Sequence, residues 1–218
     1  AFGLSADGTT KIIKDGFTKE VSNASHFADV LAAASANSNT NVAMLGESFK
    51  YAAPVAGSLG YSVEDTAIAL GLMASSGLKS SMAGSSLRTI LTNLAKPTDD
   101  ISDAMDYLGI SLQNGDGSMK SLMDIVTDLR GAFGQCKMPM DQFQENLAKL
   151  DEKYANGELT EKKYNEALAD LTEKAYGAEG ALKAKYAATL AGKEGMSGLL
   201  SIVSAAPEDF DKLTNAIY

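Results

Sequence analysis

Tyr51-Ala-Ala-Pro-Val-Ala-Gly-Ser-Leu-Gly-Tyr-Ser-Val-Glu-Asp-Thr-Ala-Ile-Ala-Leu-Gly-Leu-Met-Ala-Ser-Ser-Gly-Leu-Lys-Ser-Ser-Met-Ala-Gly-Ser-Ser-Leu-Arg88 is dense in small residues and carries no catalytic group. Its punctuation is helical. Pro54 lacks an N–H and is expected to kink or restart the helix that contains it, and Gly60 is a helix stop. Ser62-Val-Glu-Asp65 has the form of a capping box ahead of an apolar run. A helix over 63–75 follows, with Gly77 just past its end. Ser80–Ser81 or Ser85 opens the next helix. Leu87, Ile90, Leu91 and Leu94 form its buried stripe, and Pro97 stops it.

Upstream, Phe27, Val30, Leu31 and Ala34 recur at helical spacing, and Asn37–Thr40 breaks the pattern. Val42, Leu45, Phe49 and Ala52–Ala53 are expected to face inward. Before residue 25 two readings stay open: a hairpin pairing Thr10–Lys14 with Phe17–Val21, or an irregular helix. Downstream, Thr98 caps a helix whose first turn holds Asp99 and Asp100, where the macrodipole favours acids. Leu108-Gly109-Ile110 reads as a glycine C-cap with a hydrophobic clamp. Ile110–Leu112 and Ser118–Lys120 flank Gln113-Asn-Gly-Asp-Gly117, which suggests a small β-hairpin. Leu122, Ile125, Val126 and Leu129 give one more helix.

Over 137–180 charge rises and small residues fall away. Phe143, Leu147, Leu150 and Tyr154 repeat at coiled-coil spacing. After Asn156-Gly157, with Thr160 as a cap, Tyr164, Leu168, Leu171 and Ala175 repeat it. Two such stripes on a short connection predict an antiparallel helical hairpin. The stripe resumes at Leu182, Tyr186 and Leu190. Met196, Leu199, Leu200 and Val203 make a short helix, and Pro207 opens a last one with Phe210, Leu213 and Ile217 inward. The expected fold is all-α, irregular, with eight to ten helices. It divides into a core over 1–136, an inserted hairpin over 137–180 and helices over 181–218 that return to the core.

With 218 residues, 45% hydrophobic and 22% charged, the chain can bury a sizeable core. Its net charge is −9 and Arg88 and Arg130 are its only arginines, which argues against nucleic acid as a ligand, since phosphate neutralisation supplies most of that affinity. One cysteine, Cys136, allows no internal disulfide. One histidine, His26, cannot build a zinc site of the usual type with it. No apolar run is long enough for a membrane span. A calcium loop around Gly117 or Gly157 fails, because position 12 would be Met123 or Lys163. Phosphate-loop and serine-hydrolase signatures are absent, and the acids of 141–176 read as a solvated face rather than a glycosidase pair. No cofactor and no metal is expected. Arg88 is expected to make an ion pair or a helix C-terminal contact, such as with an acid among Asp99, Asp100 and Asp103, rather than to grip a partner carboxylate. The segment 66–96 is read as core rather than as a membrane-active face. The start at Ala1 reads as an excerpt or a processed product.

The order of these signals, an "APVA…LG" helix, a capped helix, a "GLK…AG…LR" turn and helix, then "KP", resembles the conserved core of phage tail tape measure proteins. The resemblance covers about 26–135 and returns at 186–217. It rests on Ala53, Pro54, Gly60, Gly71, Gly77, Ala83, Gly84, Leu87, Arg88, Pro97, Gly109 and Gly117 together. Ser80 and Ser81 depart from a Gly-Ser or Ser-Gln pair common there, and 137–180 reads as an insertion. The resemblance implies a non-enzymatic virion component of a phage or prophage, held inside the tail tube. It would set tail length during assembly in the host cytoplasm and leave at infection to help DNA cross the host envelope. Implied partners are copies of itself around the tail axis, the tube protein, tail assembly chaperones and, transiently, host membrane. The alternatives are a membrane-active ejection module, a cell-wall hydrolase region or a domesticated helical interaction domain.

Overall fold

The computed structural model describes residue 2 and residues 8–14, 17–134, 140–176 and 180–218; Cys136 lies outside these. Among the described residues the fold is ten helices and one two-stranded sheet. Strands β1 (Thr9–Lys14) and β2 (Phe17–Ser22) pair antiparallel from Thr9↔Ser22 to Lys14↔Phe17, so the hairpin reading of this segment holds. Around 110–120 the expected hairpin shrinks to a single bridge, Gln113↔Met119. Lys120 N–H donates to the Leu112 carbonyl, and Asn114 N–H to that of Ser118. The Asp116 carboxylate accepts from the Ser118 backbone at 2.9 Å, and Gly117 takes φ +83°. The Asn-Gly-Asp-Gly run spends its hydrogen bonds on the turn, leaving too few residues for strands.

Helix α3 (Val63–Ser75) is the centre. Thr66, Ala67, Ile68, Ala69, Leu70, Leu72 and Met73 are fully buried, covering its whole circumference. A helix apolar all round must be enclosed by others. Here α1 (Asn23–Ala36), α2 (Val42–Ser58), α4 (Ser80–Ala95), α6 (Leu122–Phe133), α9 (Gly180–Ser204) and α10 (Pro207–Ile217) enclose it. The segment read as core is therefore the core.

Ser62 caps α3 by accepting from Asp65 N–H at 2.9 Å, but Asp65 itself turns to the Tyr218 hydroxyl at 2.5 Å. The reciprocal box forms instead at Ser121 and Asp124, opening α6. Helix α2 runs through Pro54 without restarting. Pro54 and Lys50, whose carbonyl loses its partner, are both exposed, so water can satisfy that group. Val42, expected inside, is 47% exposed, because it sits in the first turn beyond the reach of α3. Helix α5 (Asp99–Leu108) ends at Gly109 in the left-handed conformation, and Ile110 N–H bonds back to Met105.

Helices α7 (Met140–Ala155) and α8 (Glu161–Tyr176) form the expected antiparallel pair across Asn156-Gly157. Phe143, Leu147, Tyr164, Leu168, Leu171 and Ala175 are buried between them and α9. Helix α9 is two helices joined at Gly192, whose φ 65°, ψ 179° is far from helical. The core residues of α7 and α8 belong to the same hydrophobic cluster as those of α3.

Candidate functional site

The closest helix approaches gather on α4. A Cβ placed on Gly84 would lie 2.2 Å from the Ser48 carbonyl oxygen and 2.9 Å from its Cα, so α2 and α4 touch backbone to backbone. Only hydrogen fits there. On the other side of α4, a Cβ on Gly198 would meet Ser86 Cβ at 2.7 Å and Met73 Cε at 3.0 Å. One on Gly195 would meet Ile90 and Ala191 at 3.1 Å. Polar side chains then bond to backbone across the crossings. Ser48 Oγ donates to the Ser80 carbonyl at 2.7 Å, Ser86 Oγ to that of Glu194 at 2.7 Å, and Asn93 Nδ2 to that of Leu190 at 3.0 Å. Such bonds need the short helix separation that glycine and serine permit.

The residues named from sequence fall into distinct structural roles. Ala53, Ala83 and Leu87 are buried, Gly84 is buried at the α2–α4 crossing, and a Cβ on Gly71 would meet the Leu213 side chain of α10 at 3.1 Å. Gly60, Gly77, Gly109 and Gly117 hold φ between +67° and +89° at helix ends and a turn. Pro54 and Pro97 are exposed. Arg88 makes no ion pair with Asp99, Asp100 or Asp103 among the described residues. It follows Ser81 and Ser85 on the exposed side of α4, looking into a cleft toward α7 and α8, whereas α5 packs on α9. Arg130, not singled out from sequence, donates to the Ile202 carbonyl at 2.9 Å and lies 5.0 Å from the centre of the Phe210 ring.

That cleft, about 500 Å³, opens between α4, α7, α8 and the C-terminal half of α9. Asp151 is its hub: it accepts from the Tyr164 hydroxyl at 2.6 Å and from Ser197 Oγ at 2.5 Å. Lys193 donates to the Tyr154 hydroxyl at 3.0 Å and reaches Glu161 at 3.0 Å. The spacing of the apolar stripes gave no sign of this network, because its members lie on three helices that only the fold brings together.

Its electrostatics point away from acid–base work. Burial, and then the Asp151 hydrogen bond, push the Tyr164 phenol far above its usual range. The bonds to Tyr154 and Glu161 raise the Lys193 ammonium. Elsewhere, burial raises Tyr61, burial and Asp65 push Tyr218 to about 12, and Ser118 lowers the exposed Asp116. Each of these shifts strengthens the charge state already held at neutrality, the reverse of what a general acid or base requires. No group of three or more His, Cys, Asp or Glu among the described residues is placed to hold a metal. No helix among them is long and apolar enough to cross a membrane.

The arrangement is a helical module built on close helix crossings. A family model described as phage-related minor tail protein matches residues 2–150, about two thirds of the chain. The chain is 34% identical to the tape measure protein of Pneumococcus phage Dp-1, over 92% of its own length and 14% of that protein. It is 27% identical to the probable tape measure protein of Escherichia phage P2, over 62% of its length and 17% of that protein. No solved structure matches it. The chain belongs to the phage-related minor tail protein family, and its likeness to tail tape measure proteins, read first from the glycine and proline pattern, is shown by both relatives. The chain spans less than a fifth of the length of either relative.

Proposed function

We propose that the chain is a segment of the tape measure that sets tail length and is released at infection. The observation that carries this reading is its 34% identity to a named tape measure protein across almost the whole chain. Length measurement by such a segment is non-covalent: a helical chain lying along the tube contributes ~1.5 Å per residue. The proposed surroundings are the virion tail tube, with the host cytoplasm during assembly and the host envelope at ejection. The proposed partners are copies of the chain about the tail axis, the tube protein, assembly chaperones and, briefly, host membrane. Residues 1–136 and 181–218 would form the tape measure core and 137–180 an insertion.

The test is tail length by electron microscopy in a phage lacking residues 141–176. If that segment lies as straight helix along the tube, removing 36 residues shortens tails by about 54 Å. Unchanged tails that still infect would sink the ruler role of the segment. Unchanged tails with lost infectivity would move the role to ejection, where leakage from liposomes is the next readout.

A further inference from the structure

We infer that α9 is a two-state element, bent at Gly192, and that α7, α8 and the N-terminal half of α9 swing about this point as one arm. Three independent observations carry it.

The first is the backbone. Gly192 holds φ 65°, ψ 179°, a region that residues with side chains essentially do not enter. A Cβ there would meet nothing closer than 3.7 Å, so the glycine answers to conformation and not to crowding. Straightened, Gly180–Ser204 would be one helix of 25 residues, about 37 Å long.

The second is the exchange of hydrogen bonds. In a continuous helix the Leu190 carbonyl accepts from the backbone N–H four residues on, across the break. In the bent form Asn93 Nδ2 supplies a donor instead, at 3.0 Å. The bend therefore leaves the Leu190 carbonyl with a donor, and straightening would recover a backbone bond in place of the side-chain one.

The third is the seam. Helices α7 and α8 pack chiefly on each other and on α9. Between them and α4 lie two clefts, of about 500 and 360 Å³, which share Leu78, Met82, Asp151 and Ser197. What crosses the bend at this seam is polar: Asp151 to Ser197, and Lys193 to Tyr154 and Glu161. On the far side the arm meets the core through Asn93, through the Tyr107–Tyr186 stack, 4.6 Å between centroids, and through the buried Ala187, Leu190 and Ala191 of α9. The polar bonds and the unfilled space make this seam the side on which the arm is least tightly held.

The test is a distance measurement by double electron–electron resonance. Spin labels go on cysteines at Lys185 and Glu208, both exposed, in a chain carrying Cys136→Ser. The unsubstituted background should give one narrow distance. Asn93→Leu, which removes the stand-in donor, and Gly192→Ala, which favours continuous helix, should each add a second, longer population. Asp151→Ala, which removes a polar closure of the seam, should add the same population. Variants that keep the single distance while melting cooperatively overturn the inference. Should Gly192→Ala fail to fold, Asp151→Ala decides: it changes one half-buried residue on α7, and an unchanged distance there refutes the hinge.

Discussion

The α4 crossings and the α7–α8 pair hold helices side by side with opposite materials. On α4 the contacts are glycine, serine and alanine, so backbones touch and side-chain hydroxyls reach the neighbouring carbonyls. In the α7–α8 pair the contacts are Phe143, Leu147, Leu168 and Leu171, with charge on the outer face and a tyrosine–aspartate network at the seam. The first kind of contact is intolerant, because no atom can be added without moving a helix. The second is tolerant, because large side chains repack.

The sharpest way to break this contrast is Gly84→Ala. The added carbon would sit 2.2 Å from the Ser48 carbonyl oxygen, and that oxygen is backbone. A loss of about 3 kcal/mol or more is expected, at or beyond the upper end of overpacking costs. Urea unfolding monitored by circular dichroism measures it. A loss under about 1 kcal/mol would mean that α2 and α4 adjust freely, and the distinction between the two regions would fall. Gly198→Ala is expected to cost less, about 1–2 kcal/mol, because its nearest obstacles are the Ser86 side chain and the flexible end of Met73.

The two regions also differed in how far they could be read in advance. The pair α7–α8 was legible down to its turn, since a stripe such as Phe143, Leu147, Leu150 and Tyr154 is a local property of sequence. The α4 helix was legible as a helix, but not which face of Gly84 mattered. A glycine required by a neighbouring backbone looks like any other until that neighbour is placed. The surroundings of Arg88 were hidden for the same reason, since the cleft it lines is set by the position of α7 and α8. Val42 kept the helical period and still lay outside, because a stripe does not say where its partner ends. The Asp151 hub and the bend at Gly192 were not legible, as both depend on three helices meeting.

A third junction, that of Tyr218 with α3, sharpens the comparison through pH. Burial and the bond to Asp65 raise the Tyr218 phenol from 10 to about 12. A phenol whose folded value is raised contributes stability that is fully present below pH 10 and lost between about 10 and 12. Tyr218 is 60% exposed, so solvent screening holds this contribution under about 1 kcal/mol. Comparison with Tyr218→Phe isolates it: the stability gap should be present at pH 8 and close by pH 12. A gap that stays constant across that window would assign the contact to packing alone.

The smallest effect concerns the outer face of α7 and α8, where orientation decides. Glu145–Lys149 and Asp170–Lys174 place the acid four residues before the base, and their charged atoms lie at 2.5 and 2.6 Å. Lys162–Glu166 has the reverse order and stands at 3.9 Å. An acid N-terminal to its base runs with the helix dipole, and such pairs contribute ~0.3–0.5 kcal/mol, whereas the reverse order contributes less. Exchanging residues 162 and 166 should therefore stabilise the chain by a few tenths of a kcal/mol at low salt, and the gain should fade as salt is raised, as screening demands. Lys149→Ala should lose a similar amount with the same salt dependence. If either change instead moved stability by more than about 1 kcal/mol, the outer face would be carrying the hairpin, and the large side chains between the helices would not be what holds it.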